Sequence, residues 1–265
     1  AQGKEVKDSL FLKIYQGDNL VRTLQQEIPE KDGIYHWTWY MDAKGGTWIR
    51  RNPRASKQES GGGYLAPGQY EAVLSLGQND MAKYISEKRL ITVNPDPRVQ
   101  NISAEGAAQT IAMMNAAQSL TAEINEILSQ IKADKEGLER LEKDLKREEE
   151  KDHQVLLDEI KQLDKTLTEL QDLYVGKQDD RQGITAEAAP SVSDRIRQHY
   201  GYLRSRPNGP TQTEEQLWAQ AQQAAQNAEQ RVNEFYNTTW ADFTQKINEV
   251  KVPYFKPTEF NKTNK

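Results

Sequence analysis

The feature that most constrains the fold of this chain is a heptad pattern that runs without interruption from Leu156 to Tyr174. Its apolar residues recur at alternating spacings of four and three, which is typical of helices packed side by side. The residues of this seam are Leu156, Ile160, Leu163, Leu167, Leu170 and Tyr174. A helix with one apolar stripe and polar flanks is unstable alone in water, so the seam must be buried against other helices.

A second apolar stripe, upstream of the seam, predicts a first helical arm antiparallel to it. Its residues recur three, four or seven positions apart and are Ile111, Met114, Ala117, Ile124, Leu128, Ile131, Leu138, Leu141 and Leu145. We predict a helical hairpin over residues 102–175, with Ser103 as the N-cap of the first arm and Gly137 as a candidate kink. The charged run 147–153 contains no apolar residue and predicts the turn between the arms.

Two further helices are predicted after a polar loop at residues 177–190. The first covers residues 192–204 and is ended by a proline-rich segment. Thr211 and Glu214 form a capping box that starts the next helix. The apolar stripe of that helix changes phase near residues 237–239, which predicts a bend or a break there.

The first 95 residues predict an all-β region, because short strand patterns alternate with turn signals. The predicted strands cover residues 10–15, 20–24, 34–41, 69–76 and 82–93. The strand at 34–41 carries large side chains on both faces, mostly aromatic, which favours a central position in a β-sandwich. The polar stretch 42–63 predicts a long loop that is mobile or lies over the surface.

The two parts meet at residues 94–98, where two prolines disfavour helix and predict a short, stiff joint. We therefore predict a β-sandwich followed by an antiparallel four-helix bundle. The predicted borders are 1–95 for the sandwich, 96–102 for the joint, 103–252 for the bundle and 253–265 for a C-terminal tail.

Charge and composition exclude several classes of function. The net charge of −5 and the isoelectric point near 5.5 argue against nucleic acid or an anionic membrane as the main partner. The chain has no cysteine, which excludes a disulfide framework, a thiolate nucleophile and a zinc–cysteine site. No apolar run approaches the roughly 20 residues of a membrane-spanning helix. Because the sequence begins with Ala1 rather than Met, we expect a processed protein or a fragment of a longer one.

Aromatic side chains are the main candidates for ligand binding, since their rings can stack on sugars. Trp37 and Trp39 are assigned to the core of the sandwich, whereas Trp48 lies in the polar stretch and is the candidate for binding a glycan. The histidines of the chain are His36, His153 and His199. None of them has a carboxylate or a second histidine at metal-ligand spacing. We predict no catalytic, cofactor-binding or metal-binding residue.

Four stretches of the β region resemble motifs of a known arrangement. Residues 17–24, GDNLVRTL, resemble the G-x-x-V-R-T-L strand pair of Ig-like domains related to the flagellar hook-cap protein. Residues 33–39, GIYHWTW, resemble the G-x-N-x-x-x-W strand that follows it, and residues 66–74, APGQYEAVL, resemble P-G-x-Y-x-x-x-L. Residues 93–99, VNPDPRV, resemble the V-x-x-D-P-R joint of large secreted bacterial glycosyl hydrolases with BNR/Asp-box, sortilin-type β-propellers.

In that group a propeller is followed by the Ig-like domain and then by a C-terminal helical bundle. The resemblance therefore implies an Ig-like sandwich, with Asp96, Pro97 and Arg98 as the structural joint, in a bacterial protein that is secreted, periplasmic or on the cell surface. No Asp-box occurs in this sequence, so the resemblance places the propeller before Ala1. The chain is then the C-terminal accessory part of a larger protein.

We predict a non-catalytic structural or interaction-mediating region and not an enzyme. Its expected partner is its own upstream propeller or another protein. One alternative is a carbohydrate-binding module that uses Trp48. Another is an oligomerisation stalk, in which the heptad seam would be buried between chains and the melting temperature would depend on concentration.

Overall fold

The computed structural model combines antiparallel β-sheets with α-helices, so the chain has a mixed fold. It describes residues 8–53, 59–77, 83–98, 103–146, 153–177, 189–204, 206 and 208–249. The strands are β1 (Ser9–Gln16), β2 (Asn19–Glu27), β3 (Asp42–Gly45), β4 (Ser60–Tyr64), β5 (Gly68–Gly77), β6 (Lys83–Tyr84) and β7 (Arg89–Val93). The helices are α1 (Ala104–Leu145), α2 (Gln154–Val175), α3 (Val192–Leu203), α4 (Gln212–Phe235) and α5 (Ala241–Glu249), with a π-helical turn (Tyr236–Trp240) between the last two.

The chain divides into two compact units. The sheet unit comprises Ala1–Trp48, Ala55–Thr121 and Tyr200–Glu214. The helical unit comprises Ile49–Arg54, Ala122–His199 and Glu215–Lys265. The β-sandwich and bundle borders expected near residues 95 and 103 remain a prediction.

The main sheet of the sheet unit has the strand order β2-β1-β5, with β6 and β7 both paired to β5. This confirms the strands predicted at residues 10–15, 20–24 and 69–76. Gly17, with φ of 59°, makes the turn between β1 and β2. The last predicted strand, 82–93, is split in two, because Ser86 Oγ accepts the Leu74 N–H at 2.9 Å in place of a neighbouring strand.

The prediction of a central aromatic strand at residues 34–41 is wrong. The segment is not part of either sheet, and Ile34 and Tyr40 are 91% and 71% exposed. One reason is Trp39, whose Nε1 donates to the Asp42 carbonyl at 3.0 Å. A second is Met41, whose φ of 56° interrupts the extended backbone just before β3. No neighbouring strand therefore pairs with this segment, and the alternation of its side chains does not define two faces of a sheet.

The polar stretch 42–63 is not a simple loop, because its two ends form the ribbon β3–β4. Three consecutive glycines in β4 allow the two backbones to lie unusually close. A Cβ atom on Gly62 would lie 2.7 Å from the Lys44 carbonyl oxygen, and one on Gly63 would lie 2.5 Å from the Met114 sulfur. The glycines that suggested flexibility in the sequence are therefore needed for packing.

Arg22 attaches the ribbon to the main sheet. Its side chain on β2 is almost completely buried and donates to the Ser60 carbonyl at 2.9 Å. Ion pairs with Glu59 at 3.4 Å and Asp42 at 3.6 Å surround the guanidinium. Glu59 also accepts the Thr23 N–H at 2.8 Å, which satisfies a backbone donor on the edge strand.

The helical unit contains the predicted heptad seam. In α2 the buried residues include Ile160, Leu163, Leu167, Leu170 and Tyr174. In the part of α1 that belongs to this unit they include Ile124, Leu128, Ile131, Leu138 and Leu141. The seam is thus buried within a single chain, and α1 continues past Gly137 without interruption.

A segment of the polar stretch, Ile49–Arg54, belongs to the helical unit. Ile49 is buried, and Arg51 binds the C-terminal end of α2. The Arg51 guanidinium donates to Gln171 at 3.0 Å and to Asp172 at 2.7 Å, while Gln171 donates back to the Arg51 carbonyl at 2.7 Å. A cation at this position is favoured by the helix dipole. The contacts of residues 49–53 therefore argue against a mobile loop here and favour the alternative expectation, that the stretch lies over the surface.

The predicted bend or break near residues 237–239 is replaced by the π-helical turn. The turn adds one residue to the helical repeat, which explains the change of phase while the helix continues. It places Tyr236 and Trp240 in the core. There the Tyr236 hydroxyl donates to the buried carboxylate of Asp134 at 2.6 Å. Gln130 Nε2 donates to the same carboxylate at 2.9 Å.

Both predicted helix caps are present. Ser103 Oγ accepts the Gly106 N–H at 2.9 Å, and Glu214 accepts the Thr211 N–H at 2.8 Å. Other expectations fall outside the described residues. These are the joint at 99–102, the turn at 147–152, most of the loop at 177–190 and the tail at 253–265.

Candidate interaction groove

The sheet unit contains a groove with a volume of about 500 Å³. Five segments form it: Met41 just before β3, the chain from the end of β4 to Pro67, the end of β7 with the residues that follow it, the first turns of α1, and the chain after α3. Most of its lining is apolar. The apolar side chains are Met41, Tyr64, Leu65, Ala66, Pro67, Val93, Pro95, Ala107, Ile111 and Met114. A concave, mainly apolar site of this volume is typical of ligand-binding pockets.

The wall formed by the ribbon is held in an unusual backbone conformation. Met41 has a left-handed backbone, which few residues other than glycine and asparagine adopt without cost. Its carbonyl accepts the Leu65 N–H at 2.8 Å and so fixes the conformation. The Met41 and Tyr64 side chains at this wall are 48% and 62% exposed. Large apolar side chains are thus held at the surface by the fold.

The opposite wall is formed by the chain after α3, which lies against the first turns of α1. Thr110 Oγ1 donates to the Arg206 carbonyl at 2.9 Å. Gly106 faces Asn208 so closely that a Cβ atom on Gly106 would overlap the Asn208 backbone. Gly209 has φ of 108° and crosses at the same point. Two glycines at this crossing therefore let the backbones touch.

The charged groups at the groove are two cations and one anion. Arg204 and Arg206 both line it. The Arg206 Nε donates to Glu214 at 3.1 Å, while the side chain as a whole remains 47% exposed. The acidic side chain of the lining is Asp96, which pairs with Arg98 through two short hydrogen bonds of 3.0 and 2.7 Å. The charge of Asp96 is therefore already neutralised by Arg98 in the same turn.

Glu214 anchors this cationic wall. Burial opposes ionisation of its carboxyl group. Hydrogen bonds from the Thr211 hydroxyl and backbone and from Arg206 outweigh that penalty, and together they lower the pKa of Glu214 to about 2. The carboxylate is thus charged at neutral pH and fixes the position of Arg206.

Trp48 lies shortly after the end of β3, in the sheet unit. Its indole is 43% exposed, and its ring meets the edge of the Tyr200 ring at a centroid distance of 5.2 Å. Burial raises the pKa of the Tyr200 hydroxyl, which also hydrogen-bonds Gln118. Trp48 is thus part of an aromatic pair at the surface, and its role as a ligand-binding residue stays a prediction.

The other sequence-predicted residues are not brought together with Trp48. Asp96, Pro97 and Arg98 form the turn that follows β7, and the Asp96 and Arg98 side chains pair within it. Of the histidines, His199 is fully buried and stacks on Trp218 at 5.2 Å in the helical unit. Within the described ranges, no group of three or more His, Cys, Asp or Glu side chains is arranged to hold a metal ion.

Sequence reasoning did not find the groove. Its residues come from five separate segments, and each segment has an ordinary local explanation. The proline-rich joint, the Pro67 turn and the first helical turn each signal only local structure. The one local signal is the row of large apolar residues at 34–41, which the sequence analysis assigned to a core.

Among the described helices, none combines the length and the apolar character that a bilayer crossing requires. No protein-family model matches the sequence, and no curated protein or solved structure matches it either.

Proposed function

We propose that this chain is a non-catalytic interaction region and that the groove of its sheet unit binds a segment of a protein partner. The architecture that we propose is an Ig-like β-sandwich followed by an antiparallel four-helix bundle. We further propose that the chain is the C-terminal accessory part of a larger secreted or cell-surface bacterial protein with a BNR/Asp-box, sortilin-type propeller. This last step rests on the motif resemblance at residues 17–24, 66–74 and 93–99.

The observation that carries the proposal is the exposure of large apolar side chains at and next to the groove. Met41 and Tyr64 line it, and Tyr40, adjacent in the chain, is 71% exposed. Apolar surface concentrated in this way marks interaction sites in soluble proteins. The oligomerisation stalk is less favoured, because the heptad seam that it requires is buried within one chain.

A selection from a phage-displayed library of random peptides tests the proposal. We expect the chain to enrich peptides with large apolar residues. A Tyr64→Arg variant, which places a charge on the apolar wall, should weaken their binding at least tenfold. Tyr84→Arg is the matched control, since Tyr84 has a similar exposure of 59% and does not line the groove. No enrichment, or equal binding to both variants, would refute the proposal.

A glycan is the second candidate ligand, and the partly exposed Trp48 ring favours it. Sugar-binding sites use such rings as stacking surfaces. A glycan array probed with the chain and with Trp48→Ala separates the two candidates. Binding that is lost with Trp48→Ala but retained in Tyr64→Arg would place glycan recognition at the Trp48–Tyr200 pair.

A further inference from the structure

We infer that the partner segment in the groove carries a carboxylate among large apolar side chains, and that Arg204 and Arg206 hold this carboxylate. The inference rests on the proposed function, because it names the chemistry of the partner at the same groove. Both arginines line a cavity whose walls are otherwise mainly apolar. An acidic residue flanked by apolar residues matches that combination.

The charge distribution around the groove supports an acidic partner. Asp96 lines the groove but already pairs with Arg98, and Arg206 donates its Nε–H group to Glu214. An arginine has five N–H donors in a planar fork that fits a carboxylate. The local balance is therefore cationic, although the chain as a whole carries a charge of −5. A basic segment would be repelled at this point.

The apolar part of the groove suits a polypeptide with several large side chains. Two methionines, Met41 and Met114, lie in its lining. Met114 is buried, whereas the flexible thioether side chain of Met41 is 48% exposed and can adapt to differently shaped partners. Exposed apolar residues continue along the chain to Tyr40 and Ile34. A peptide segment reaches both regions, whereas a small carboxylic acid would fill only the cavity.

The backbone of Met41 gives an independent indication. A left-handed backbone at a long apolar residue persists only where the surrounding structure enforces it, and such positions cluster at functional sites. Here the conformation turns the Met41 side chain into the groove lining. An asparagine would adopt this backbone more readily but would offer no apolar contact.

The test uses the full chain and synthetic peptides from the random-peptide selection. We expect the enriched peptides to contain an Asp or Glu among apolar residues. Changing that residue to Asn or Gln should weaken binding at least tenfold. Arg204→Glu should weaken binding of the acidic peptide by a similar factor and leave its neutral form unaffected. Arg140→Glu, the same charge change at an exposed position of α1, is the control.

A charge swap sharpens the result. Arg204→Glu should recover binding to a peptide in which the acidic residue is replaced by lysine. Sodium dodecanoate, a carboxylate with an apolar chain, should compete only weakly with the acidic peptide.

The outcomes separate this inference from the proposed function. Peptides that lose binding in Tyr64→Arg but bind Arg204→Glu normally would refute the carboxylate and leave the groove as the binding site. If no peptide depends on Tyr64, both fail. Tight binding of dodecanoate without any peptide binding would also refute both, in favour of a lipid-like ligand.

Discussion

The cores of the two units of the molecule are stabilised by different interactions. In the helical unit, aliphatic and aromatic side chains such as Leu128, Leu167 and Phe243 are fully buried, and buried polar groups are few among the described residues. In the sheet unit, buried polar residues such as Arg22, Asp42 and Ser75 are nearly as frequent as buried apolar ones. Its strands approach through glycines, and its ribbon is attached by an arginine.

This difference has consequences for stability and for binding. A core of interdigitating aliphatic side chains gains free energy in proportion to the apolar area that it buries. A core held by ion pairs and close backbones gains less from burial and depends on a few positions. In the sheet unit, large apolar side chains therefore remain exposed at the surface, and some of them line the groove. Five substitutions test this comparison, in order of decreasing effect.

Leu167→Ala should cause the largest loss of stability. Leu167 is fully buried in the seam of α2, and a leucine truncated in a close-packed core costs about 4 kcal/mol through lost burial and the cavity that remains. The free energy of unfolding in urea, followed by circular dichroism, measures it. Val155→Ala, at a position 79% exposed on the same helix, should change it by less than about 0.5 kcal/mol. A loss below about 1 kcal/mol for Leu167→Ala would contradict a packed seam.

Arg22→Met should cost about 3 kcal/mol, because it leaves the Asp42 carboxylate partly buried without its cation and leaves Glu59 with the exposed Lys44 alone, at 3.6 Å. The double variant Arg22→Met with Asp42→Asn should recover part of the loss, since the carboxylate that lost its cation is then removed. Urea unfolding of the four proteins completes the cycle. If the two substitutions are simply additive, Arg22 does not hold the ribbon through its charge.

Gly62→Ala should cost about 2 kcal/mol, since its methyl group would meet the Lys44 carbonyl across the ribbon. Gly201→Ala is the matched control, because a Cβ atom there meets nothing within 4 Å and the residue lies inside α3. That control should raise stability by about 0.5–1 kcal/mol through its higher helix propensity. Thermal unfolding distinguishes the opposite signs.

Tyr236→Phe should cost about 1.5 kcal/mol, because it removes a hydrogen bond to the buried Asp134 carboxylate. Burial raises the pKa of Asp134, and the Tyr236 hydroxyl partly opposes this. In the variant that pKa should rise further, so the loss should be smallest below the folded-state pKa of Asp134, where the carboxyl group is protonated, and should grow as the pH rises through that pKa. A loss that does not change with pH would show that the hydroxyl does not interact with the charge.

Met41→Asn should have the smallest effect and the opposite sign. We expect a stabilisation of about 1 kcal/mol, since asparagine tolerates the left-handed backbone that strains methionine. The melting temperature should therefore rise while peptide binding at the groove falls. A variant that loses stability would show that the Met41 side chain packs in the fold and is not displayed for binding.

The helical elements were predictable because a helix satisfies its backbone hydrogen bonds within the segment. The position of Leu163 or Leu167 on the buried stripe follows from local spacing alone. The phase change near Trp240 was also visible in the sequence. Its form, a π-helical turn rather than a break, was not, because one inserted residue and a broken helix give the same local pattern.

For the aromatic segment at residues 34–41, the same reasoning from local spacing gave a wrong prediction, and the reason is physical. A strand at residues 34–41 requires a neighbouring strand to accept its backbone hydrogen bonds, and alternation along one segment does not supply that neighbour. The glycine-rich loop is the opposite case, because chain that was expected to be irregular forms a strand. Gly61, Gly62 and Gly63 suggested flexible chain, yet a Cβ atom at these positions would meet the Asp42 carboxylate, the Lys44 carbonyl and the Met114 sulfur, respectively. Trp48 was rightly expected at the surface, but its pairing with Tyr200 joins residues far apart in the chain.

By itself the sequence determined the mixed architecture, the two long helices α1 and α2 with their buried stripes, most strands of the main sheet and both helix caps. These depend on interactions between residues within a few positions of each other. Only the tertiary structure decided that the aromatic segment lies outside the sheets, that Arg22 and Arg51 hold described parts of the polar stretch, and that five separate segments form one groove. Those outcomes depend on which surfaces remain exposed once the helices and strands have packed together. A local sequence pattern contains no information about that packing.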